Sequence, residues 1–140
     1  MIWRSTLLNT FKEISHGFVS KPFSFPFMFK LTYLPSYVSF FSLVKVPPNK
    51  WVIADQVHGT SIYIVGKEKN KIWPLIAYKT DALITQERKR PLIMFFADCI
   101  PIFIYVPRLK VVGIIHSGWR GTIRDFPLKA LTFLISNYNL

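Results

Sequence analysis

The sequence predicts a mixed α/β domain, and three observations carry that prediction. Short apolar runs with strand character recur between residues 51 and 115. Clusters of turn residues separate them, and a helical pattern follows at about residues 126–135. Half of the 140 residues are apolar (51%), enough for one domain to bury one core and too many for a disordered chain.

The first fifty residues have a texture of their own. Phe11, Phe18, Phe23, Phe25, Phe27, Phe29, Tyr33, Tyr37, Phe40 and Phe41 crowd together, punctuated by Pro22, Pro26 and Pro35. Over 23–29 the aromatics alternate, which is strand periodicity, and Pro26 assigns that strand to an edge or a bulge. Core packing is the first reading of these rings, and a contact surface is the second.

Strands are expected over 51–56 and 61–65, with a turn at 57–60 between them. A short strand at 81–85 leads into the charged turn 86–90, and an apolar strand follows at 92–96. Strands at 102–106 and 111–115 form a hairpin around the turn 107–110, and residues 117–121 are expected to be a loop. The closing helix has Asp125 as its capping residue and Pro127 in its first turn.

Composition narrows the function classes. The longest apolar stretch, 92–106, contains Asp98 and Pro101 and is shorter than the roughly 20 residues of a spanning helix. The start, Met1-Ile2-Trp3-Arg4-Ser5, has no secretory pattern, so a cytoplasmic protein without membrane association is expected. A net charge of +11 suits an anionic partner, such as nucleic acid, a membrane surface or a phosphate-bearing substrate, or merely a solvated basic surface. The basic residues are scattered, with Arg88-Lys89-Arg90 the nearest thing to a cluster. A lone cysteine, Cys99, rules out an internal disulfide and leaves a metal ligand, a nucleophile or an inert core residue.

The reactive residues fall where apolar strands are expected to end. His58 follows one strand, Asp98 and Cys99 follow another, and His116 follows a third. Strand ends put side chains at the rim of a sheet, where sites are built. Two imidazoles and a thiolate make a three-ligand set for Zn²⁺ with a fourth position left open. The intervals match no local zinc signature, so each histidine remains open to a purely structural role.

The local motifs go further. Ile14-Ser15-His16-Gly17-Phe18, Asp55-Gln56-Val57-His58-Gly59 and Thr80-Asp81-Ala82-Leu83-Ile84-Thr85 come first. Phe96-Ala97-Asp98-Cys99-Ile100-Pro101 and His116-Ser117-Gly118-Trp119-Arg120-Gly121 follow. In this order they resemble the YfiH-type family of multicopper polyphenol oxidase-like proteins, also described as purine nucleoside phosphorylases. The resemblance runs over residues 14–121, with a poor match at 22–50. It implies a single layered α/β/β/α domain over residues 1–140, with 1–50 as a divergent aromatic segment. It also implies Zn²⁺, or alternatively copper, held by His58, Cys99 and His116.

The resemblance implies phosphorolysis of adenosine, inosine, guanosine or methylthioadenosine, together with deamination of adenosine. Asp98 would then move protons or orient a ligand, or else serve as a turn cap or ion-pair partner. Arg120 would hold phosphate, with the N–H groups of 118–122 behind it, or would instead pair with Asp125 or pack on Trp119. His16 and Lys21 would be further substrate contacts. The family's Ser-Thr-Arg after His-Gly-Phe is here Val19-Ser20-Lys21, and Lys21 lacks the guanidinium fork. Asp81 would hold a loop beside the site. The family usually continues with a C-terminal region containing Gly-Pro, so a short C-terminus is expected here, with the pocket open or completed by a second subunit. Competing expectations are a metal-holding remnant without turnover, a basic single-strand-binding module and a copper oxidase.

Overall fold

The computed structural model describes residues 2–20, 45–66 and 74–140. The expected strand at 23–29, the aromatics from Phe23 to Phe41 and Lys21 lie outside them. Two compact units divide the chain, Met1–Lys45 and Val46–Leu140. In the first, β1 (Ile2–Trp3) pairs antiparallel with β2 (Phe18–Val19), and a 3-10 turn occupies Leu8–Thr10.

The second unit is built on two sheets. One is parallel: β3 (Val52–Ala54) lies between β5 (Leu75–Ala77) and β7 (Leu92–Ile93). The other runs in the order β4 (Ile62–Val65), β6 (Ala82–Thr85), β9 (Val111–Ser117) and β8 (Ile100–Val106). Here β4 is parallel to β6, while β9 is antiparallel to both β6 and β8. The β8–β9 hairpin turns through a 3-10 turn at Pro107–Leu109 and Lys110 in the left-handed region. Two helices follow, α1 (Trp119–Thr122) and α2 (Phe126–Tyr138).

Alternation of side chains along the strands decides the layers. Ala82, Ile84, Val111 and Ile115 face Phe126, Ala130 and Leu134, one face of α2 at helical spacing. Leu83, Ile114 and Val65 face the other way and pack with Val52, Ala54 and Ala77 of the parallel sheet. The fold is therefore α/β, with helix, mixed sheet and parallel sheet stacked in that order. No helix among the described residues is long and apolar enough to cross a membrane.

Several boundaries differ from expectation. The strands β8 and β9 run to Ile100 and Ser117, because the antiparallel ladder pairs Ile100 with Ser117 and Pro101 with His116. Pro101 is tolerated because β8 lies at the sheet edge. Residues 117–121 are not a loop: Ser117 ends β9 and α1 begins directly, closed by the Thr122 N–H donating to the Gly118 carbonyl at 2.9 Å. Asp125 precedes α2 but its side chain caps nothing. It sits in the left-handed region (φ 56°), not the extended conformation that lets a cap reach the first turn, and only its carbonyl accepts from Lys129. The strand β5 went unpredicted, because three apolar residues show no periodicity.

Candidate metal centre

The mixed sheet delivers the first two residues of the site together. Because Ala82 pairs with Ile115, Asp81 and His116 stand next in the same ladder, and the His116 N–H donates to the Asp81 carbonyl at 2.8 Å. Their side chains, both buried, also meet: Nδ1 of His116 lies 2.8 Å from Oδ1 of Asp81. His116 is inside β9, not after it, so the strand-end reading was wrong for this residue. With Nδ1 carrying the proton toward the carboxylate, Nε2 is left with its lone pair as a ligand atom.

The same carboxylate organises the turn after β3. It accepts from the backbone N–H groups of Val57 (3.3 Å), His58 (3.1 Å) and Gly59 (2.7 Å). Those bonds hold His58 at φ 57°, in the left-handed region that is uncommon for residues other than glycine. Burial alone would raise the Asp81 pKa. The bonds from His116, Gly59 and Val57, joined by the charge of His116 whenever that ring is protonated, outweigh it and hold Asp81 below the ordinary carboxylate range.

Cys99 arrives from the parallel sheet. The Gln56 side chain acts as one more strand partner, donating through Nε2 to the Phe95 carbonyl and accepting the Phe95 N–H, both at 2.8 Å. This ties the chain leading to Asp98 and Cys99 to the turn that carries His58. The ring of Phe96 packs on His116 with centroids 5.4 Å apart.

His58, Cys99 and His116 thus converge, with one potential ligand atom from each lying within 4.8 Å of the other two. Their burial is graded: His116 is buried, Cys99 half-buried and His58 exposed, so the cluster opens to solvent on one side. The two imidazoles stand edge to face, with centroids 4.8 Å apart. A Cβ on Gly118 would meet Cys99 Sγ and His58 Cδ2, each at 3.0 Å, so the absence of a side chain there is what lets the donors gather. Burial raises the Cys99 thiol pKa, and the charge and hydrogen bond of Asp98 and the charge of Asp81 push the same way. Two imidazoles and a sulfur with negative charge around them suit a divalent cation, which would stabilise the thiolate that this environment otherwise disfavours.

The other expected site residues divide. Asp98 is exposed and its Oδ1 accepts from Cys99 Sγ at 3.6 Å. Arg120 is exposed on α1, its guanidinium 5.4 Å from the Trp119 ring centroid, the packing alternative named for it above. His16 belongs to the first unit, where its Nε2 accepts the Ser5 N–H at 2.9 Å. Gln56 and Phe96 were missed. Their only sequence signal is their place inside the two motifs that carry His58 and Cys99.

The chain matches the model of the multi-copper polyphenol oxidoreductase laccase family over residues 37–139. It is 37% identical over 82 residues to the purine nucleoside phosphorylase YlmD of Bacillus subtilis, covering 55% of this chain and 29% of that protein. It is 30% identical over 100 residues to a purine nucleoside phosphorylase of Staphylococcus saprophyticus, covering 69% and 37%. Among solved structures it is similar to the Bacillus licheniformis hypothetical protein YfiH, with a TM-score of 0.69 at 27% identity over 76% of this chain and 42% of that one. The YlmD structure from Geobacillus stearothermophilus gives 0.67 at 28% identity, covering 75% and 40%. The chain therefore spans well under half the length of the relatives it matches.

Proposed function

Because this chain belongs to the multi-copper polyphenol oxidoreductase laccase family, we propose that it serves a zinc-dependent purine nucleoside phosphorylase. In this reading adenosine, inosine, guanosine and methylthioadenosine are cleaved by phosphate, and adenosine is also deaminated. The carrying observation is the convergence of His58, Cys99 and His116 on one solvent-open point, in a chain whose relatives are named purine nucleoside phosphorylases.

His58, Cys99 and His116 would hold the ion, and three protein donors are the number that leaves a coordination position for substrate or water. When bound, zinc supplies Lewis-acid polarisation and a lowered pKa for water. Asp98, exposed beside Cys99, moves the proton: it accepts one from an attacking water, or passes one to the departing base. Arg120 holds the phosphate charge with its planar donor fork. The scattered excess of positive charge favours approach of an anionic co-substrate. Copper is the second reading of the metal, since a His₂Cys trio also suits it. Among the described residues this is a single cluster, whereas coupled copper oxidation needs several. The location proposed is the cytoplasm.

The test is product analysis with metal analysis. The 140-residue chain, purified without added metal, is incubated with adenosine or inosine and phosphate. Free base, pentose 1-phosphate and about one zinc per chain are expected, and Cys99→Ala is expected to lose metal and turnover together. Absence of product at high protein concentration overturns the activity. Zinc retained without product identifies a metal-holding module instead.

A further inference from the structure

The three donor atoms are not positioned independently. One carboxylate stands behind two of them. Oδ1 of Asp81 takes both Nδ1 of His116 and the N–H of His58, while Oδ2 takes the N–H groups of Gly59 and Val57. All four partners are donors, and the side chain is fully buried. We infer that Asp81 is a positioning residue that couples the two histidines, fixing the tautomer of His116 and the left-handed backbone of His58 in one act. The inference rests on the metal reading above and adds a residue to which that reading gave no chemical part.

The physical reason is the donor count. A carboxylate offers acceptor lone pairs on both oxygens, so it can serve four N–H groups at once. An Asn of the same shape has one oxygen and one NH₂. Turned either way, its NH₂ meets two donors: His116 with His58, or Gly59 with Val57. The buried N–H groups left without acceptors would release the turn, and His116 would lose the partner that keeps its proton on Nδ1.

The experiment is made on the full chain. Long-range ¹H–¹⁵N spectra of the metal-free wild type are expected to show the His116 proton on Nδ1. Zinc affinity, measured by chelator competition, is expected to fall about 10- to 100-fold in Asp81→Asn. A proton on Nε2 overturns the inference. So does an Asp81→Asn protein that unfolds more readily yet keeps its zinc affinity, since that marks a merely structural role. Should Asp81→Asn fail to fold, the wild-type tautomer decides alone. Wild type that takes up no zinc overturns the metal reading and this inference with it, whereas equal affinity in wild type and variant overturns the inference alone.

Discussion

Gly118 and Cys99 are in such close approach that a Cβ on the glycine would stand 3.0 Å from the sulfur. The same added carbon would be 3.0 Å from Cδ2 of His58. Both neighbours are donors of the cluster, so a side chain at this position must displace one of them. Gly118 is buried and its φ of −73° is ordinary, so the demand here is space and not backbone freedom. Gly118→Ala is expected to fold, with a stability change of about 1–3 kcal/mol from overpacking, and to weaken zinc binding measured by chelator competition. Affinity equal to wild type would remove the close-packing account.

Cys99 should be a sluggish thiol in the metal-free protein. Burial and the neighbouring Asp98 both raise its pKa, so at neutral pH the protonated form dominates. Alkylation by iodoacetamide, followed by mass spectrometry, is expected to be slow at pH 7 and to quicken only in alkaline solution. Asp98→Asn removes a like charge and should speed the reaction, by up to about tenfold for one pKa unit. An unchanged rate would mean that Asp98 has no part in holding the thiol protonated, leaving burial and the charge of Asp81.

Acid should loosen the metal-free fold through Asp81. Its pKa is held down in the folded state, so the unfolded chain binds the proton more readily. The contribution is fully present above the unfolded value near 4 and is lost as pH falls through the folded value. Urea midpoints measured from pH 6 downward should drop below about pH 4 in wild type and fall less steeply in Asp81→Asn. Parallel curves for the two proteins would contradict the assigned hydrogen bonds.

Stability of the mixed sheet should depend on one face of α2. Phe126 is fully buried between Ala82, Ile115 and Ala130, whereas Leu131 on the same helix is half exposed. Phe126→Ala is expected to cost about 3–5 kcal/mol, and Leu131→Ala about 0.5 kcal/mol or less. Urea denaturation of both variants checks the difference. Comparable losses would mean that the second face of α2 is also covered.

The donor trio was legible because motifs preserve local chemistry. Gln56-Val57-His58-Gly59 and Asp98-Cys99 announce reactive side chains at turns, and α2 was visible from its apolar spacing and Pro127. Element ends were less legible. Ser117 and Ile100 belong to strands only because each supplies the other's ladder partner. The cap role expected of Asp125 failed for a related reason, since its backbone conformation is set by the passage from α1 to α2 and not by residue type.

Residue order alone thus specified which side chains could bind a cation: two imidazoles, one thiol, and the strands that carry them. Their meeting point was decided only in three dimensions. Asp81 lies far along the chain from both His58 and His116, and no spacing pattern links a carboxylate to four N–H donors on separate segments. That link exists because β6 pairs with β9 while the turn after β3 folds back on the end of β6. Hydrogen bonding of a buried carboxylate is satisfied by whatever donors the assembled sheets bring to it.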